Sequence, residues 1–286
     1  MSGNTVWRIA GRSVVPLVRH RHSHEIWQDA AGAVYGEDAA YDAPRNRWLI
    51  GLWRLDPAGR LAELLPLTDR PPAGCGPLHD AAGNSYAFAG PRAGRGLILV
   101  RRDPAGAVVE VAHGFQGVNG KAWAPDGALW VADGAAVRRI APDGGVRTMG
   151  GDPLAGVPHG DHPRLLGVAP LPGGGALVAD YDHRVVREIK PDGRVVDRWR
   201  GGLLWAPAGI AVSGGAVYLL EARPEQVSVF LEALGPAVRV RRIAADGGVT
   251  TLAAVGARAS GLLPVALLLT VVSVAALLLA RRRRRA

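Results

Sequence analysis

Residues 117–151 read as four short apolar runs cut by three turns. The runs cover 119–124, 128–132, 137–140 and 146–149. Pro125-Asp126-Gly127, Asp133-Gly134 and Pro142-Asp143-Gly144 separate them. Proline presets φ, aspartate bonds its own backbone and glycine takes φ > 0, so each cut is a turn. Four strands joined this tightly predict a small antiparallel sheet. Such a sheet cannot bury its faces alone and needs neighbours like itself.

The same pattern recurs. Asp29-Ala-Ala-Gly32, Asp80-Ala-Ala-Gly83 and Pro172-Gly-Gly-Gly175 stand where Pro125-Asp126-Gly127 stands. Asp56-Pro-Ala-Gly59, Asp103-Pro-Ala-Gly106, Pro191-Asp192-Gly193 and Ala245-Asp246-Gly247 repeat the last turn. The units are spaced by about 40 to 55 residues, which is the range of propeller blades. Five full units follow at 22–67, 76–114, 117–151, 152–201 and 205–256, with insertions at 37–47 and 224–236. Residues 226–234 fit a short helix or an extended hairpin equally. Val6 to Ile9 and Val14 to Val18 match the last two strands of a unit, as if a blade began halfway. The expectation is an all-β β-propeller over residues 1–256, six-bladed, with five full four-stranded repeats and an incomplete N-terminal blade. An open inner edge would expose unpaired backbone groups, so upstream sequence completing that blade is expected.

Beyond residue 256 the pattern changes. After a linker at 257–260, residues 261–280 contain no charge and arginines 281–285 follow at once. Twenty apolar residues at about 1.5 Å each span the ~30 Å hydrocarbon core. This predicts a single-pass transmembrane helix at 261–280 and a basic tail at 281–286. The positive-inside rule puts the arginines in the cytoplasm and the propeller outside. No apolar signal core stands near Met1.

The formal charge is +9, but arginines 281–285 supply five of it and leave +4 on the body. That charge does not call for nucleic acid, which is not expected as a partner. Arg8, Arg54, Arg101, Arg139 and Arg242 recur before the last turn of their units and read as solvated strand positions. Asp133, Asp180 and Glu221 recur after the second strand and read as turn-stabilising groups. The single cysteine, Cys75, excludes an intrachain disulfide framework.

Val178-Ala-Asp-Tyr-Asp-His-Arg-Val-Val-Arg-Glu-Ile-Lys-Pro-Asp-Gly193 resembles the NHL repeat, and Gly156-Val-Pro-His-Gly-Asp161 resembles the loop that joins NHL blades. The resemblance implies a six-bladed propeller of a kind that binds proteins, peptides or RNA, with a few members that are enzymes. Asn119-Gly120 ahead of Trp123-Ala-Pro-Asp-Gly127, with Glu25-Ile-Trp27, is similar to the SMP-30/gluconolactonase family. That likeness implies a divalent cation, calcium or zinc, held by Glu25 and Asn119, and lactone hydrolysis. The family's further aspartate ligand has no match here. The equivalent strand starts of the next two units read Leu166-Gly167 and Ala208-Gly209. His24, His79, His159, Asp161 and His162 are the candidate ligand-binding residues. The first reading is a membrane-anchored propeller that binds a small molecule or partner protein through its channel face; the alternative is a metal-dependent lactonase.

Overall fold

The computed structural model describes residues 5–10, 13–19, 23–29, 31–90, 96–150, 164–202, 204–223 and 238–255. They form an all-β propeller of five four-stranded antiparallel blades and one two-stranded sheet. The two-stranded sheet is β1 (Thr5–Ala10) with β2 (Ser13–Arg19). Blade 1 is β3 (Ser23–Gln28), β4 (Val34–Asp42), β5 (Arg47–Leu55) and β6 (Leu61–Thr68). Blade 2 is β7 (Leu78–His79), β8 (Ser85–Ala89), β9 (Leu97–Arg102) and β10 (Val108–Phe115). Blade 3 is β11 (Val118–Trp123), β12 (Leu129–Asp133), β13 (Ala136–Ile140) and β14 (Val146–Met149). Blade 4 is β15 (Leu165–Pro170), β16 (Ala176–Asp180), β17 (Val185–Ile189) and β18 (Val195–Arg200). Blade 5 is β19 (Ala206–Ser213), β20 (Ala216–Ala222), β21 (Val238–Ile243) and β22 (Val249–Val255).

Each blade is a meander, so two kinds of connection segregate. The turns between first and second and between third and fourth strands share one face, the turn face. The remaining connections share the other, the loop face. The turns are built as their residues dictate. In blade 3 the Ala124 amide donates to Ala128 O at 2.8 Å and the Gly127 amide to Ala124 O at 3.0 Å. Gly127 sits at φ +79°, which a Cβ would strain, and Asp126 Oδ1 accepts the Ala128 amide.

In blades 3 and 4 the second strands are the most buried: every residue of β12 and of β16 is buried. Outer strands such as β6 are largely exposed. Between blades the apolar faces interlock. Trp130, Val137, Met149, Leu165, Val168 and Ile189 join blades 3 and 4. Buried carboxylates tie the ends of second strands. Asp133 accepts the amides of Gln116 and Gly117 at 2.7 and 2.8 Å. Asp180 holds Arg187 at 3.0 Å, and Glu221 holds Arg239 at 2.6 Å. These carboxylates are structural, as the sequence reading has them.

The expected sixth blade needs correction. Among the described residues five blades have four strands, and β1–β2 stands as a hairpin of its own. Val6 and Val18 pack on Trp53, Leu55 and Val34, the face of blade 1 turned away from blade 2. A pair of strands covers that apolar face, because a strand pair already offers one apolar side. The insertion at 37–47 is a lengthening of β4 and β5, whose tip is a 3-10 turn at Ala43–Arg45. No described helix is long and apolar enough to cross a membrane, and the predicted span at 261–280 lies outside the described residues. So does the insertion at 224–236.

Candidate functional site

The first strands of the blades surround an axis. On β11, β15 and β19 the residues closest to one another are glycines. A Cβ on Gly120 would lie 2.7 Å from Gly167 Cα, and one on Gly167 would lie 3.1 Å from Gly209 Cα. The backbones thus approach too closely for any side chain. Beside them is a cavity of about 250 Å³ lined by residues of all five blades, among them Glu25, Asn119 and Lys121. Glu25 and Asn119 therefore line one cavity at the axis.

Their partners are protein groups. The Lys121 ammonium is ion-paired with Glu25 Oε1. Asn119 Nδ2 donates to Leu165 O at 3.0 Å and so ties blade 3 to blade 4. Glu37 faces Glu25 across the β3–β4 register. Burial first, then the Glu25 charge, push the Glu37 carboxyl up to about 7, and Lys121 opposes them in part. Among the described residues no three His, Cys, Asp or Glu side chains converge as a metal cluster. A divalent cation at Glu25 would meet an ammonium already bonded there. As arranged, these residues do not fit a metal.

A second and larger space opens on the turn face. It measures about 1050 Å³ and runs across blades 1, 2 and 3. It lies beside β7, which has two residues where β3, β11 and β15 have six. Tyr35 stacks on His79 with ring centroids 4.2 Å apart. Tyr86 meets Trp123 edge to face at 5.1 Å. Arg54 and Arg101 stand opposite Tyr35 and Tyr86 in the β4–β5 and β8–β9 registers. Arg54 Nε donates to the Tyr35 hydroxyl at 3.1 Å. Trp27 reaches both this cleft and the axial cavity.

Asp80 at the rim is fully engaged. It accepts the amides of Ala82 and Asn84, the Asn84 side-chain amide and the Tyr86 hydroxyl at 2.8–3.0 Å. Burial pushes its carboxyl up, but these bonds outweigh burial and hold it below the ordinary carboxylate range. Burial and the same Asp80 bond push the Tyr86 phenol up to about 12, so it stays a donor. His79 Nδ1 lies 2.8 Å from Pro77 O; a carbonyl only accepts, so Nδ1 carries the proton.

Of the sequence candidates, His79 lines the cleft while Glu25 and Asn119 line the axial cavity. The backbone of His24 lies in β3, and its side chain lies outside the description. His159, Asp161 and His162 also lie outside the described residues. Sequence reading missed Tyr35, Tyr86, Trp123 and Lys121. The tyrosines carried no signal in the sequence, because their places opposite Arg54 and Arg101 are set by the sheet registers.

No family model and no curated protein matches the sequence. Solved structures do resemble the fold. A protein of unknown function from Bacteroides caccae aligns with TM-score 0.52 and 18% identity, over 86% of this chain and 85% of that one. A streptogramin B lyase aligns with TM-score 0.50 and 14% identity, over 84% and 70%. A gluconolactonase-like protein aligns with TM-score 0.43 and 18% identity, over 90% and 83%, which is too loose to carry an argument. At these identities the likeness establishes a β-propeller fold and nothing about activity.

Proposed function

We propose that this chain is a membrane-tethered binding propeller of the NHL-like kind, whose ligand sits in the turn-face cleft. The observation that carries the reading is the cleft: about 1050 Å³, framed by ordered aromatic pairs and by Arg54 and Arg101. A concave site with apolar rings and a few placed polar groups is the usual form of a small-molecule pocket. The binding face thus differs from the channel face that sequence reading favoured, where the cavity is only about 250 Å³ and Lys121 is paired with Glu25.

The tether suits that arrangement. β22 ends on the loop face at Val255, five residues before the apolar stretch. Five residues reach at most about 18 Å. An anchored chain therefore turns its loop face to the bilayer and its cleft to solvent. Tyr41 and Trp48, exposed at the end of the β4–β5 hairpin with centroids 5.3 Å apart, stand on that same loop face. Aromatic residues of this kind favour the membrane interface.

Binding is tested by titrating aromatic fragments into the full-length protein and following tryptophan emission and Tm. Fragments should bind, and Tyr35→Ala should weaken them by about tenfold through the lost stacking surface. Fragments that fail to distinguish the variant would refute the cleft as the site. The metal-dependent hydrolase is the weaker reading, because the Lys121 ammonium already occupies Glu25 although Glu25 and Asn119 line one cavity. A rise in Tm with calcium or zinc that Glu25→Gln abolishes would favour it instead.

A further inference from the structure

We infer that the turn-face cleft selects a planar anion: a flat ring system bearing one carboxylate or an equivalent single negative charge. The inference rests on the reading of the cleft as the binding site and adds the chemistry of its occupant.

The rings are already ordered. Tyr35 is fixed against His79 and Tyr86 against Trp123, so a flat ligand can stack without immobilising them. Charge comes from the arginines. The same strand position in blade 3 is Arg139, and Asp126 neutralises it at 2.7 Å. In blade 4 the position is Glu188. Arg54 and Arg101 line the cleft and make no ion pair within 4 Å among the described residues, although Asp29 and Asp56 act on Arg54 from farther off and Arg101 lies against the Tyr86 hydroxyl. Arg54 uses Nε on the Tyr35 hydroxyl and keeps its terminal NH2 groups.

The acids nearby make no ion pair with these arginines within 4 Å among the described residues, and Asp56 is held by Arg60 at 2.6 Å. Asp80 spends both oxygens on Ala82, Asn84 and Tyr86, and Asp29 Oδ1 takes the Ala33 amide at 2.8 Å. The cleft therefore presents donors and rings, and a carboxylate on a flat ring system complements both. Asp29 and Asp80 also line the cleft but are spent on their own turns, and a neutral ligand would offer no charged acceptor to the terminal Arg54 donors.

The test compares 2-naphthoate with 2-naphthamide, which share a ring system and differ in charge. Both are titrated calorimetrically into the full-length protein. Naphthoate should bind about tenfold more tightly or better. The preference should fall to about unity in Arg54→Gln/Arg101→Gln and return in Arg54→Lys/Arg101→Lys, which keeps the charge. Matching Tm values for the three proteins show that the variants fold. Equal affinities for the two compounds, or a preference that survives in the glutamine variant, would overturn the anion inference and leave the cleft as a site for neutral rings. Absence of binding by either compound at millimolar concentration, with unchanged tryptophan emission, would overturn the cleft reading itself.

Discussion

Glu37 shows how one side chain at the axis sets a pH dependence. Burial, the Glu25 charge beside it, and the partial opposition of Lys121 bring its carboxyl to about 7 in the folded protein. An acid raised on folding binds its proton more tightly in the folded state. Its contribution to stability is therefore fully present below the ordinary carboxylate pKa. It declines as pH rises toward 7 and is gone above that. Partial exposure discounts the effect to about 1–3 kcal/mol. Glu37→Gln should match the wild type near pH 4.5 and exceed it by that amount at pH 8 in urea unfolding. A variant that tracks the wild type at both pH values would show that Glu37 does not titrate in this range.

At the scale of the strand, the close approach of the innermost strands β11, β15 and β19 depends on absent side chains. A methyl on Gly120 would meet Gly167 Cα at 2.7 Å and Leu166 O at 2.8 Å, and neither backbone can step aside. Gly120→Ala should cost about 1–3 kcal/mol, the range of overpacking in a tight core. Gly173→Ala is the control: nothing lies within 4 Å of its added Cβ, and the change should stay within about 0.5 kcal/mol. Equal effects on denaturation midpoint would mean that the blades do not meet through these glycines. Asn119-Gly120 thus has a structural use on both residues, since Asn119 also bridges to Leu165 O.

For the whole molecule the decisive question is the tether. The uncharged stretch at 261–280 followed by five arginines predicts that the full-length protein partitions with membranes and resists carbonate extraction. Release by carbonate, or solubility without detergent, would remove the anchor from the functional reading. The cleft would remain, because blades 1, 2 and 3 build it without any residue beyond 142.

The blade repeat was legible in the sequence because its signals are local. Runs of strand length and Asp-Gly or Pro-Asp-Gly turns depend on neighbours a few residues apart, and five blades formed where those signals stood. The structural use of Asp133, Asp180 and Glu221 was legible too, since recurrence in successive units marks a shared scaffold part. The rest depended on contacts that chain order does not encode. Lys121 meets Glu25 across 96 residues, and no spacing rule pairs a lysine of one blade with a glutamate of another. The two-residue β7 beside the cleft, the register of Tyr35 and Tyr86 with their arginines, and the hairpin standing in place of a sixth blade were likewise decided by packing. A strand's own residues set that it is extended and which of its faces is apolar. Only the assembled ring of blades sets what each face meets, and the candidate site is made of those meetings.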